Sequence, residues 1–199
     1  MSHVLLRKHR GAAGTLLVAL ALLTASCASP PLSLYTLEPS DLPSQAAPLA
    51  RRSIVIEIRR VSVPDYLDTQ DILVRDGSTL QRSAHGRWAT RLSLGVTRYL
   101  TGLLAARHLG ALVTDQAQIE TPDARISVTI STLDITSAGV ATLEADWTLV
   151  PRDPARPTRR QRARFVARGP VATDQDVVNL MQGVLTQLAD AIAIGPLRS

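Results

Sequence analysis

Hydrophobic positions recur along this chain with two different periods, and the change from one to the other marks out its elements. In Ser53 to Val61, SIVIEIRRV, the residues Ile54, Ile56 and Ile58 alternate with Val55, Glu57 and Arg59, the period of two expected of a half-buried strand. After a turn at Pro64-Asp65-Tyr66-Leu67-Asp68 come Asp71 to Arg75 and Thr79 to Arg82. They flank Asp76-Gly77, a pair suited to a tight hairpin. From Arg91 to His108 the period changes: Leu92, Val96, Tyr99, Leu100 and Leu103 are spaced by three and four, which predicts an amphipathic helix ended by Gly110.

Alternation then returns in Ala124–Ile135, Val140–Val150 and Arg160–Arg168, with turns at Ser137-Ala138-Gly139 and Pro151–Thr158. These three segments predict an antiparallel meander. Asp174 to Ile194 closes the chain with Val177, Met181, Val184, Leu185, Leu188 and Ile192 on one stripe, a second helix. The expected fold class is therefore α+β: a mostly antiparallel sheet, two amphipathic helices packed on one of its faces, and a single domain. No internal repeat is visible.

The N-terminal end follows neither period. Arg7, Lys8 and Arg10 precede an apolar run, Gly11 to Ser26, that ends in small residues. That is the three-part layout of an export signal, and the run is shorter than the ~20 apolar residues needed to span a bilayer. Leu23-Thr24-Ala25-Ser26 before Cys27 resembles the lipobox of bacterial lipoproteins, with Thr24 standing where that pattern has leucine. Such a site implies cleavage before Cys27, diacylglycerol on its thiol and acylation of the new amino group. Two or three chains hold a protein at a membrane, whereas one binds reversibly, each buried methylene contributing about 0.8 kcal/mol. The alternative is a plain secretory signal that leaves Cys27 a free thiol. Ala28 and Ser29 follow in place of aspartate, which in lipoproteins resembling enteric ones implies the outer membrane.

Residues 1–26 thus read as signal peptide, 27–52 as a lipidated N-terminus with a proline-rich linker, and 53–199 as the α+β domain. Pro30, Pro31, Pro39, Pro43 and Pro48 keep most of the linker extended, but Ser33-Leu34-Tyr35-Thr36-Leu37 alternates and has the pattern of a short strand. If this segment joins the sheet, only Ala28 to Leu32 remain as tether. At about 3.6 Å per residue that tether is short.

Charge narrows the function classes. The whole chain has 22 basic and 17 acidic residues, and removing the three basic residues of the leader leaves 19 against 17. Near-neutrality disfavours nucleic acid as a partner. Lys8 is the only lysine, so the domain's cations are all arginine, densest from Arg152 to Arg168. That run reads either as a solvated hairpin or as a surface for headgroups or an acidic partner.

His85 and His108 lie at no metal-ligand spacing, and neither Gly-x-Ser-x-Gly, a P-loop nor a dinucleotide fingerprint occurs. No catalytic residue, metal or cofactor is therefore assigned. His108 sits where a helix-dipole partner would. Trp147 and Tyr99 fall on core-facing positions, while Tyr35, Tyr66 and Trp88 fall in turns or at element ends and are candidate partner contacts.

Tyr35-Thr36-Leu37 after the cysteine, Val63-Pro64-Asp65-Tyr66-Leu67-Asp68, Arg87-Trp88-Ala89 opening a helix, and Glu144-Ala145-Asp146-Trp147-Thr148-Leu149 occur in the order seen in the ABC-type transport auxiliary lipoprotein family. The chain resembles that family over nearly all of its mature length. The resemblance implies a non-enzymatic component of an intermembrane lipid-transport system. Its expected partners are the membrane through the lipid anchor, a periplasmic protein with MCE domains and inner-membrane transporter components. Its expected place is the periplasmic face of the outer membrane, docking the far end of the conduit. Self-association is compatible with this reading. The alternative is a lipoprotein that itself binds lipid as a carrier or gate.

Overall fold

In a computed structural model of the protein, residues 31–38, 53–192 and 194 are described, and Ser33–Ser199 forms one compact unit. Eight strands and two helices are seen among the described residues. They are β1 (Ser33–Tyr35), β2 (Ile54–Ile58), β3 (Asp71–Asp76), β4 (Thr79–Trp88), α1 (Leu92–Arg107), β5 (Ala111–Thr114), β6 (Ala124–Ile135), β7 (Val140–Pro151), β8 (Arg159–Arg168) and α2 (Asp174–Ala191).

The strands form a five-stranded sheet in the order β5-β2-β6-β7-β8 and a three-stranded one in the order β1-β4-β3. In the larger sheet β6, β7 and β8 make the expected antiparallel meander, with Val128 opposite Trp147 and Leu143 opposite Phe165. Every second residue of β7, including Ala145, Trp147 and Leu149, turns inward and is buried, and β6 alternates likewise through Ile126, Val128 and Ile130 until a bulge between Ile130 and Thr132 moves the buried set to Leu133 and Ile135. Polar partners such as Thr148, Asp146 and Glu144 take the other face.

The expectation of a mostly antiparallel sheet needs correcting, because β2 runs parallel to both β5 and β6, and β1 runs parallel to β4. The sheets are mixed. Alternation in a strand records which face is buried and says nothing of the direction of the neighbour. The short strand β5 follows α1 directly and was not legible, since four residues contain too little pattern.

The segment containing Leu34 does enter a sheet, pairing Ser33 with Gly86 and Tyr35 with Trp88. An isolated parallel bridge, Arg75 to Thr136, and the Ser137 N–H donating to the Arg75 carbonyl at 2.8 Å join the smaller sheet to the end of β6.

Both helical stripes enter one core with Ile56, Ile58, Ile126 and Leu143, while Ile72 and Trp88 bring the smaller sheet into it. Leu100, Val96, Val184, Leu185 and Leu188 are fully buried, each leucine contributing roughly 1.5–3 kcal/mol by leaving water. The helices also touch through the Tyr99 hydroxyl, 3.1 Å from Thr186 Oγ1, and through an Arg107–Asp190 ion pair. Two polar residues of α1 are buried with a purpose. Thr97 accepts the Val61 N–H at 2.9 Å and donates to the Ser93 carbonyl, tying the end of the β2 segment to the helix.

Candidate interaction surfaces

Of the residues singled out from sequence, Cys27 lies outside the described residues. Tyr35 ends β1, half-buried and packed on the core, and its carbonyl accepts the Ala89 N–H at 2.8 Å. Trp88 sits directly opposite it in the sheet. The expectation that Trp88 is an accessible partner contact is overturned, because it is only 3% exposed. β4 continues six residues beyond the predicted Arg82, so Trp88 is the last strand residue, on the inward face with Gly86, and not the opening of a helix.

Tyr66 remains an open surface position at 46% exposure. Its hydroxyl lies beside the Arg75 guanidinium, which also donates to Asp134 at 2.9 Å; that bond first, and then the Asp134 charge, hold Arg75 above the usual arginine range. The structure therefore brings Tyr35 and Trp88 together and assigns Tyr66 to the β3–β6 junction.

The turn that contains Tyr66 has a further role. Asp68 Oδ1 accepts the backbone N–H of Ser93 at 3.0 Å, and its carboxylate also meets Arg60 at 3.5 Å and Arg91 at 3.8 Å. Burial alone raises the pKa of Asp68, but the hydrogen bonds from Ser93 and the charges of Arg60 and Arg91 outweigh it and hold the carboxyl below its usual value. At the other end of α1, the backbone N–H of His108 donates to Leu104 and Ala105. Burial and then the Arg107 charge push its imidazole below the ordinary histidine range, so the positive group at this helix end is Arg107 and not His108.

The arginine run forms the outer face of β8. Arg162 pairs with Asp146 at 2.6 Å and Arg164 with Glu144 at 3.5 Å, both directly across the β7–β8 ladder. The Asp146 hydrogen bond, reinforced by its charge, raises the Arg162 pKa further. A groove of about 300 Å³ crosses this region, lined by Asp146, Trp147, Thr148, Arg160, Gln161 and Arg162. Behind it Phe165 stacks on Trp147 with ring centroids 6.5 Å apart. Among the described residues no three His, Cys, Asp or Glu side chains gather closely enough to hold a metal, and no helix is long and apolar enough to cross a membrane.

These features define a helix-backed α+β domain whose polar chemistry is spread across the faces and edges of its sheets. The chain belongs to the family of ABC-type transport auxiliary lipoprotein components, whose model matches residues 35–193. Membership makes it a membrane-anchored periplasmic lipoprotein associated with an ABC-type transport system; the family is a transport auxiliary and not one known for enzymes.

Two solved structures share the fold. One, of an uncharacterised protein, is 17% identical with a TM-score of 0.66, covering 82% of this chain and 97% of that one. The other, from Xanthomonas campestris, is 17% identical with a TM-score of 0.58, covering 80% and 92%. No curated protein matches the chain.

Proposed function

We propose that this chain is acylated at Cys27 and docks the outer-membrane end of an intermembrane lipid conduit, where it recognises a periplasmic protein with MCE domains. The family match over residues 35–193 carries the reading, because it spans nearly the whole folded unit and begins shortly after the sole cysteine. Supporting it, Ala28 and Ser29 replace the aspartate that retains enteric-type lipoproteins at the inner membrane. The β1 pairing leaves few residues between Cys27 and the fold, which favours work close to the bilayer.

Crosslinking in intact cells followed by pull-down from solubilised membranes is expected to recover an MCE-domain protein. Recovery of transporter components without it would remove the docking role. For the anchor, Cys27→Ser is expected to abolish palmitate labelling and release the chain from envelope fractions. Continued sedimentation of this variant with the envelope, together with an unlabelled parent, would refute acylation. Carriage of lipid by the domain itself gains little from the groove over β7 and β8, since Asp146, Arg160 and Arg162 are poor neighbours for acyl chains.

A further inference from the structure

Among the described residues β8 ends the five-stranded sheet, and its ten residues contrast with three in β1 and four in β5, the strands at two other sheet edges. The direction of its peptide groups is fixed by a bond just past its end, where the Gly169 N–H donates to the Gly139 carbonyl at 3.0 Å. This bond shares the register of the ladder, in which Val140 faces Arg168 without a shift down to Leu149 and Arg159. In an antiparallel pair the hydrogen-bonded positions recur every second residue, so Arg159, Gln161, Ala163, Phe165 and Ala167 turn their peptide groups toward β7. Those of Arg160, Arg162, Arg164, Val166 and Arg168 face outward. An independent contact agrees with this phase: the outward Val166 carbonyl accepts Gln187 Nε2 of α2 at 3.3 Å.

The residues with outward peptide groups are thus the ones that place arginines on the outer face. Arg162 and Arg164 remain 81% and 64% exposed despite their β7 partners, and among the described residues no carboxylate pairs with Arg160 or Arg168. On the opposite face Ala163, Phe165 and Ala167 are half-buried against the core.

An incoming strand therefore meets two requirements. Its residues opposite Arg160, Arg162 and Arg164 must be acidic, and those between them apolar, to cover Ala163 and Phe165. β7 already satisfies both on the inner side, with Glu144 and Asp146 alternating with Leu143, Ala145 and Trp147. A second copy of β8 sets arginine against arginine, and like charges directly opposite destabilise a strand pair. An anionic bilayer attracts the arginines but leaves the outward peptide groups without strand partners.

The geometry points to β8 as the docking edge for an extended acidic segment of a partner protein, added to the sheet as another strand with acids and apolar residues in alternation. This deepens the docking role proposed above and rests on it only for the identity of the partner.

The test uses the full chain purified in detergent and a labelled ten-residue peptide alternating glutamate with valine, followed by fluorescence anisotropy. The comparison peptide has the same composition with its glutamates gathered at one end. The alternating peptide is expected to bind about tenfold or more tightly than the gathered one. Arg164→Pro removes an outward N–H and the exposed Arg164–Glu144 ion pair while leaving the backbone hydrogen bonds to β7 in place, and is expected to weaken binding at least about tenfold, with thermal unfolding near that of the parent. Should that variant fail to fold, Arg162→Glu reads the same edge by charge reversal and is expected to weaken binding comparably.

Equal binding of the two peptides reduces the effect to bulk charge and overturns the proposal. So does absence of binding, displacement of the peptide by phosphatidylglycerol added as mixed micelles with the same detergent, or self-association that Arg164→Pro abolishes. Peptide binding with a failed MCE pull-down removes the partner and keeps the edge; the reverse result removes only the edge.

Discussion

Helix α2 contains the instructions for its own start, whereas α1 borrows its first acceptor from a turn on the far side of the β3–β4 hairpin. At α2, Thr173 Oγ1 accepts the Asp176 N–H at 3.2 Å and Asp176 Oδ2 accepts the Thr173 N–H at 2.9 Å, a reciprocal box within four residues. At α1 the flanking Arg91 makes no side-chain cap and the first turn holds no acid. The missing acceptor is Asp68, 25 residues earlier than Ser93. A local device lets α2 begin wherever its own sequence says. A remote one makes the start of α1 conditional on the fold already being in place, and ties the Tyr66 turn to the core.

The largest expected effect tests that dependence. Asp68→Ala removes the acceptor for Ser93 and leaves Arg60 and Arg91 without their shared carboxylate, which should cost about 2 kcal/mol of unfolding free energy. Denaturant unfolding measures the loss, and amide hydrogen exchange should show the Ser93 N–H losing protection before the middle of α1. Unchanged exchange at Ser93 would show that α1 starts without the Asp68 carboxylate, the Leu92 N–H keeping its bond to the Thr69 carbonyl at 3.1 Å.

Next in size is a change on the α2 side, where the box is local but its seat is not. A Cβ on Gly86 falls 2.3 Å from Asp174 Oδ2 and 3.1 Å from Ile72 Cδ1. Gly86→Ala must therefore swing the Asp174 carboxylate away from the Ser83 hydroxyl, which it accepts at 2.9 Å. Because that side chain can move, the cost should be about 1.5 kcal/mol and not a loss of folding. Thermal unfolding of Gly86→Ala beside Asp174→Ala checks this: the second substitution should make the first nearly neutral. If it does not, the clash lies with Ile72.

Thr173→Ala is smaller still, at about 1 kcal/mol. Its effect should stay within the first turn of α2 and leave α1 exchange unaltered, the counterpart of the remote coupling expected from Asp68.

The same contrast explains what the sequence could reveal. The α2 stripe, Val177, Met181, Val184, Leu185 and Leu188, is buried as its spacing predicts, and β6, β7 and β8 follow their alternation almost residue for residue. These are elements whose pattern and ends are local. The parallel neighbours of β2 and the cap of α1 are long-range facts with no periodic trace. Trp88 differs from its expected place for a related reason: Arg87-Trp88-Ala89 has the composition of a helix entry, and it is the long-range pairing with β1, and with β3 at Asp71 opposite Arg87, that shows the strand continuing. Of the candidate contacts, Tyr66 was legible as exposed because a Pro-Asp turn must reach the surface. The open edge of β8 was visible only as an arginine run until the register showed which peptide groups face outward.

The smallest effect is the most diagnostic of the remote cap. An unfolded aspartate titrates near 3.9, and the folded Asp68 carboxyl lies lower. Its contribution to stability is therefore complete above about pH 5. As pH falls below that value the unfolded chain takes up the proton first, so the contribution declines until the folded carboxyl is protonated too. Asp68→Asn has no such titration. The stability difference between parent and variant should thus be level from neutral pH down to about pH 5 and narrow steadily below about pH 4, with urea unfolding across that range as the measure. A gap that stays constant through the acid limb would mean that Ser93, Arg60 and Arg91 read only the shape of the Asp68 side chain and not its charge.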